Sequence, residues 1–314
     1  MSRGLKIFSG TSNPALAQEI CEYVGVPLGR CEITRFANDN IFVRILENVR
    51  ERDVFVVQTS CPPVNDRLME LLLMIDALRS ASAARITAVM PYYPYARSDK
   101  KDQPRISIAA RLVGDLVATA GADRILTMNL HSDQTHGFFS IPADHLTAAP
   151  ILAEYYKEKG IENFVVVAPD AGSAKRAGIY ASLMNAPLAI GDKRRIGNTD
   201  QTKIVSIVGD VKGKNAIVFD DEIDTAGSLM EIVNMLKAEG AENVYAAACH
   251  GVFSDPAIER IRKMPVEEVA VTNTVPLGPT KKIGKITVLS VAQLFGEAIK
   301  RIHLGESVGA LFPS

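Results

Sequence analysis

The feature that most restricts the fold is a rhythm of short β-branched runs alternating with amphipathic helical stripes. Leu5–Phe8, Val54–Gln58, Ile86–Met90, Ile125–Met128, Phe164–Ala168, Ile204–Val208, Ile217–Asp220 and Val244–Cys249 are mostly apolar at successive positions. Continuous runs, rather than alternating ones, fit parallel strands covered on both faces. Between them, Asp66–Ala81 carries Leu68, Leu71, Leu72, Ile75 and Leu78 on one stripe, and a helix beginning near Ser228 carries Leu229, Ile232, Val233 and Leu236. Ser107–Ala120 adds Ile108, Leu112, Val113, Leu116 and Val117, with Gly121 placed to end that helix. The pattern predicts an α/β protein with mainly parallel, doubly wound sheets.

The chain also resembles itself. Leu71, Ile75 and Leu78 align with Leu229, Val233 and Leu236, and a similar turn and strand follow each helix. With 314 residues available, this predicts two similar domains, residues 1–147 and 148–314. Thirty-five basic against thirty-six acidic residues leave a net charge of −1, which disfavours nucleic acid or an anionic membrane as partner. No apolar run approaches the roughly 18 residues of a membrane span. Cys21, Cys31, Cys61 and Cys249 form no CxxC pair, so free thiols in a reducing compartment are expected. The start of the chain lacks a signal-peptide core, and a cytoplasmic location is expected.

Chemistry concentrates after the strands. Ile217–Asp220 runs into Asp221, Glu222, Ile223, Asp224, Thr225, Ala226, Gly227 and Ser228. Carboxylates there accept hydrogen bonds from sugar hydroxyls, and a glycine-containing turn into a helix suits a phosphate. Together they describe a pentose phosphate, against the plainer alternative of an N-cap turn with solvated acids. Pro91–Asp102 contains three tyrosines and two prolines ahead of Arg97, Lys100 and Lys101, a stiff loop that could neutralise a polyphosphate. Asn129 and His131 close another strand, and strand alternation predicts that both leave the same face. Asp170 follows Phe164–Ala168 and suits Mg²⁺ bound largely through water and phosphates. Lys193 and Arg195 precede a polar stretch, residues 197–202, whose composition predicts a mobile loop.

The Asp220–Ser228 segment resembles the phosphoribosyl-binding loop shared by phosphoribosyltransferases and ribose-phosphate diphosphokinases. The Tyr92–Asp102 loop and the paired domains make the whole chain similar to the diphosphokinase family, from Phe36-Ala37-Asn38-Asp39-Asn40 to Gly305-Glu306-Ser307-Val308. The resemblance implies two domains of the phosphoribosyltransferase type and transfer of the β,γ-pyrophosphoryl group of Mg-ATP to the 1-hydroxyl of ribose 5-phosphate. It assigns ATP to Phe36, Asn38, Asp39, Asn40, Arg97, Ser98, Asp99, Lys100 and His131, with Phe36, Asn38 and Asn40 serving a neighbouring subunit. His131 and Asp170 are implied to serve Mg²⁺, and Lys193 and Arg195 to stabilise the transition state. Ribose 5-phosphate falls to Arg195, Asp220, Asp221, Asp224, Thr225, Ala226, Gly227 and Ser228. Family members form hexamers from dimers, commonly activated by phosphate and inhibited by ADP. The chain departs from the family pattern at Asn129, Ser98, Asn40, Ser140, Asn48 and Gly309, where Asp, Gln, Glu, Asp, Ser and Ser are frequent. A catalytically silent relative and a phosphoribosyltransferase are the rival readings.

Overall fold

The structure, a computed structural model, describes residues 4–195 and 202–311, with the side chains of residues 193–195 and 202–205 outside the description. The chain divides into two compact units. The first runs to Thr147 and includes Thr274–Pro276 and the stretch from Ser290; the second comprises Ala148–Asn273 and Leu277–Leu289.

In the first unit, six strands form one sheet in the order β2-β1-β5-β6-β7-β8, every pairing parallel. These are β1 (Leu5–Ser9), β2 (Leu28–Gly29), β5 (Asp53–Val57), β6 (Arg85–Met90), β7 (Arg124–Met128) and β8 (Ala143–Leu146). Strands β3 (Cys31–Arg35) and β4 (Ile41–Ile45) form a separate antiparallel hairpin. Helices α1 (Pro14–Val24), α2 (Val64–Ser80) and α3 (Ala109–Ala120) cover the sheet. Gly121 ends α3 at φ 118°, a left-handed conformation that glycine adopts without penalty.

The second unit repeats the scheme. Its seven-stranded sheet has the order β11-β10-β9-β12-β13-β14-β15. The strands are β9 (Phe164–Ala168), β10 (Leu188–Arg195), β11 (Thr202–Val208), β12 (Asn215–Ile223), β13 (Val244–Gly251), β14 (Glu268–Thr272) and β15 (Ile286–Leu289). Only β10–β11 is antiparallel. Helices α4 (Ala149–Glu158), α5 (Ala174–Met184), α6 (Gly227–Ala238) and α7 (Ala257–Lys263) belong here. Helix α8 (Ala292–Leu304) packs on α1 in the first unit, where His303 Nδ1 meets the buried Asp53 carboxylate at 2.8 Å.

The internal repeat is physical. Leu71, Ile75 and Leu78 of α2 are buried against the first sheet as Leu229, Val233 and Leu236 of α6 are against the second. Each sheet therefore has one topological switch point, between β1 and β5 in the first unit and between β9 and β12 in the second. The carboxyl ends of those strands are where α/β sheets hold ligands.

Candidate functional site

The switch point of the second unit is built from β9, β12 and the elements that follow them. Strand β12 extends beyond the apolar run, through Asp220 and Asp221 to Ile223, because β13 continues beside it and pairs Asp220 with Ala248 and Ile223 with Gly251. The carboxylates are thus set by a ladder rather than by a loop. Asp220 Oδ1 accepts the Asp221 N–H at 2.9 Å, folding that side chain back toward its neighbour. Successive strand residues otherwise face opposite sides, and this turn lets one cation reach both acids. Arg176 Nη1 lies 2.7 Å from Asp221 Oδ1 and 3.8 Å from Asp220 Oδ1.

Arg176 is held there by its own helix. It sits four residues before Tyr180, on the same face of α5, and the Tyr180 ring stacks on Phe219 of β12 at 3.9 Å with planes 15° apart. The stack fixes α5 against the strand and places Arg176 over the acids. Asp221 is only 4% exposed. Burial first, then the adjacent Asp221 carboxylate, pushes the Asp220 carboxyl well above the usual range, with Arg176 opposing. Arg176 thus offsets charge on a carboxyl pair in which Asp220 holds its proton to higher pH than usual.

The chain leaves β12 through Asp224 and Thr225 into α6. Ala226 adopts φ 57°, and Gly227 begins the helix. Thr225 and Ser228 are exposed, Asp224 and Gly227 half-buried. The first N–H groups of α6 have no partner within the helix and carry its positive dipole end, a setting for an anion. Arg260 Nη1 donates to the Thr225 carbonyl at 2.9 Å. Asp170, after β9, caps the following turn: its Oδ1 accepts the Ser173 N–H at 3.0 Å and the Ser173 hydroxyl at 3.2 Å. A Cβ at Gly191 of β10 would lie 2.5 Å from the Pro169 carbonyl, so this glycine lets β10 pass close to that turn. Lys193 and Arg195 lie on β10 just beyond, after a register shift at Asp192/Lys193; their side chains are outside the described residues, as are residues 197–201 of the stretch 197–202 whose composition predicts a mobile loop, while Thr202 already belongs to β11.

In the first unit, the loop after β6 is ordered by its aromatics. Tyr93 is buried, donates to the Ala110 carbonyl at 2.8 Å and meets Phe139 edge-on at 5.4 Å. Ser98 accepts the Ala110 N–H on its carbonyl at 3.2 Å and donates its hydroxyl to the Ser107 carbonyl at 3.2 Å. Arg97, Lys100 and Lys101 are exposed and Asp99 is half-buried. The hairpin turn at residues 36–40 is closed by Phe36 N–H to Asn40 O at 2.9 Å and by Asn40 N–H to Asn38 Oδ1 at 3.3 Å. Arg35 ties this turn to Asp39 at 2.6 Å and to Asp66 at 2.7 Å, leaving Phe36 57% exposed.

One expectation is corrected. Asn129 and His131 do not alternate on a strand: β7 ends at Met128, and Asn129 turns the chain at φ 43°. Buried Asn129 donates its N–H to Leu146 O at 3.0 Å, while His145 Nε2 accepts the Leu130 N–H at 2.8 Å. His131 follows this turn, half-buried. At the stretch where the resemblance implied regulation, Asn48 Oδ1 accepts the Arg50 N–H at 3.0 Å and Ser307 Oγ the Gly309 N–H at 3.2 Å. Sequence reading missed Arg176 and Arg260. A signal for Arg176 existed in its four-residue spacing from Tyr180; Arg260 offers none, because its partner is a backbone carbonyl 35 residues away.

Comparison with known proteins supplies the context. Residues 5–121 match the family model of the N-terminal domain of ribose phosphate pyrophosphokinase, and residues 195–313 that of the phosphoribosyl synthetase-associated domain. A ribose-phosphate pyrophosphokinase of Deinococcus radiodurans is 54% identical over 314 residues, covering 98% of each chain. One from Caldanaerobacter subterraneus subsp. tengcongensis is 53% identical, over 99% of this chain and 98% of its own. A crystal structure of phosphoribosylpyrophosphate synthetase from Mycobacterium smegmatis superposes with a TM-score of 0.90 at 44% identity, covering 96% of this chain and all of that one.

Proposed function

Since the chain belongs to the ribose-phosphate pyrophosphokinase family, forming 5-phosphoribosyl 1-pyrophosphate from ribose 5-phosphate and ATP, we propose how its residues divide between the two substrates. The observation that carries the division is the β12–α6 connection, where half-buried Asp220 and buried Asp221 lead within a few residues into a helix N-terminus. Asp220 and Asp221 accept the ribose hydroxyls. Asp224, Thr225, Ala226, Gly227 and Ser228 wrap the 5-phosphate with backbone N–H groups and hydroxyls. Arg97, Ser98, Asp99, Lys100, His131 and Asp39 bind ATP, together with Phe36, Asn38 and Asn40 of a neighbouring subunit.

The 1-hydroxyl of the sugar attacks the β-phosphorus, the bond to the α-phosphate oxygen breaks, and AMP leaves with the bridging oxygen. Such transfer depends on positioning and charge neutralisation rather than on a covalent nucleophile. Arg97 and Lys100 orient the polyphosphate, and Lys193 and Arg195 stabilise the charge of the transferring group, Arg195 also reaching the sugar phosphate. Mg²⁺ suits the available donors. Asp170 turns Oδ1 inward as a cap, leaving its other oxygen for a cation, and His131 stands after β7. Among the described residues no three His, Cys, Asp or Glu side chains cluster as a metal cage. That composition suits an ion carried largely by phosphates and water. When bound, Mg²⁺ offsets charge on the polyphosphate.

Two further assignments belong to the same proposal. The family resemblance implies a homohexamer built from dimers, and Phe36, exposed on a hairpin set apart from the main sheet, is placed to meet a neighbouring subunit; size-exclusion chromatography with light scattering tests it, and a monomer would contradict it. No helix of the described residues is long and apolar enough to cross a membrane, and a cytoplasmic location agrees with this.

The test is direct. With Mg-ATP and ribose 5-phosphate the protein releases AMP and phosphoribosyl pyrophosphate in equal amounts, and Lys193→Ala lowers turnover about 10²- to 10³-fold with little change in ribose 5-phosphate affinity. No AMP despite ribose-dependent ATP binding would point to a silent relative, and base-dependent consumption of phosphoribosyl pyrophosphate to a phosphoribosyltransferase.

A further inference from the structure

The proposed sugar-phosphate subsite has a charge problem. Between Asp220 and Ser228 the chain carries four carboxylates, Asp220, Asp221, Glu222 and Asp224, and no lysine or arginine. A phosphate monoester brings roughly one and a half to two more negative charges at neutral pH. The N-terminus of α6 returns only about half a positive charge, and Arg176 is engaged with Asp221 and Asp220. Beyond Arg195, already assigned to the sugar phosphate, a further cation held at the turn favours binding a dianion there.

We propose that Arg260 is that cation: a positioning and specificity-determining residue that fixes the Thr225–Gly227 turn and makes the site select a phosphorylated sugar. The inference rests on the assignment of the 5-phosphate to residues 224–228. Arg260 projects from α7, an element separate in sequence from the loop it serves. Its Nη1 donates to the Thr225 carbonyl at 2.9 Å, and a Cβ built on Gly227 would lie 3.3 Å from the same nitrogen. The guanidinium therefore lies against the first residue of α6, and a side chain at position 227 would press on it and force a small shift. That gives Gly227 a steric reason beyond turn formation.

The neighbouring charges sharpen the assignment. Helix α7 contains one acid and three cations, and Glu259 pairs with Arg262 at 4.0 Å and Lys263 at 2.9 Å. Arg260 has no acidic partner among the described residues, and the one hydrogen bond of its side chain there is to Thr225. A guanidinium offers five N–H groups in a planar fork suited to phosphate oxygens. Here one N–H holds the loop, Ala226 stays in its left-handed conformation beside the pinned carbonyl, and the other donors remain for the ligand.

Steady-state kinetics on the full-length enzyme separate this role from a structural one. Arg260→Met, Arg260→Lys and Ser228→Ala are each measured against ribose 5-phosphate at saturating Mg-ATP, and against ATP at saturating ribose 5-phosphate. Arg260→Met raises the KM for ribose 5-phosphate about 10- to 100-fold, with the KM for ATP changed less than about twofold. Arg260→Lys, which keeps the charge but not the fork, recovers part of the loss. Equal deterioration of both KM values and kcat in both Arg260 variants would overturn the inference, as collapse of the loop would act that way. An unchanged ribose 5-phosphate KM in Arg260→Met, with a raised one in Ser228→Ala, would overturn it while sparing the loop assignment. No change in either variant would overturn the placement of the 5-phosphate itself, and this inference with it.

Discussion

The two units share one architecture and treat the same crevice in opposite ways. At the switch point of the first unit, the strand ends are closed by their own side chains. Gln58 Oε1 accepts the Ser12 hydroxyl at 2.6 Å, and its amide donates to Glu70 at 2.8 Å. Glu70 in turn accepts the Thr11 N–H at 2.5 Å and the Thr11 hydroxyl at 2.7 Å. Gln58, Thr59 and Ser60 are fully buried. At the equivalent place in the second unit stand Asp220, Asp221 and a turn that leaves Thr225 and Ser228 exposed. Identical topology thus does not make a site. In the first unit a buried carboxylate, Glu70, is taken up by an amide, a hydroxyl and Arg67; in the second, two acids bridged by Arg176 stand at the strand end.

A second contrast lies one strand over. After β6 the first unit carries the long residues 91–108, with Arg97, Lys100 and Lys101 exposed, whereas after β13 the second has only residues 252–256 before α7. Cationic function in the first unit therefore sits on a loop, ordered by buried tyrosine yet open to solvent. In the second unit Arg176 and Arg260 project from helices, each locked by a defined partner, while Lys193 and Arg195 lie on β10. Rigid elements hold a site more closely than loops do, so the subsite proposed for the sugar phosphate is the more pre-organised of the two.

That difference can be attacked by mutation. Arg176→Met has the largest expected effect: it leaves Asp221 buried beside a second carboxylate, and kcat/KM for ribose 5-phosphate falls about 100-fold. A loss expressed equally in ATP binding would break the contrast. Arg97→Ala is expected to raise the KM for ATP about tenfold and spare ribose 5-phosphate binding, as suits one exposed charged contact. Fluorescent nucleotide titration reads that effect.

The smallest expected effect concerns stability. Because burial and the Asp221 carboxylate raise Asp220 in the folded state, the folded protein keeps this proton to higher pH than the unfolded chain. Stability from this group is therefore full below about pH 4 and is lost as pH rises toward the elevated value. Asp220→Asn is expected to raise the Tm of the substrate-free protein by about 2–4 °C at pH 7. The gain shrinks as pH falls toward about 4, while activity is impaired throughout. A destabilised Asn variant at pH 7 would show that Asp220 is structurally satisfied, like Gln58 in the other unit.

Much of this fold was legible because buried parallel strands are written as continuous apolar runs. Val54–Gln58, Ile86–Met90, Phe164–Ala168 and Val244–Cys249 lie within a residue or two of β5, β6, β9 and β13. The hairpin β3–β4 was not legible, since Glu32, Thr34, Arg35 and Arg44 interrupt its apolar residues and several positions remain solvent-facing. Strand β8, with Asp144 and His145, hid for the same reason. The acid turn at Asp220–Ser228 was legible because its parts adjoin in sequence. Arg260 was not, because helix packing brings it to the turn from another element, and Arg176 showed only in its spacing from Tyr180.

The account's central claim is that sugar phosphate and nucleotide are recognised by separate, differently built regions. Hydrogen exchange followed by mass spectrometry, with each substrate added alone, tests it most directly. Ribose 5-phosphate should slow exchange in peptides spanning 220–228 and leave 91–108 unchanged, while a non-hydrolysable ATP analogue should protect 91–108. Protection of 91–108 by ribose 5-phosphate alone, with none in 220–228, would contradict it.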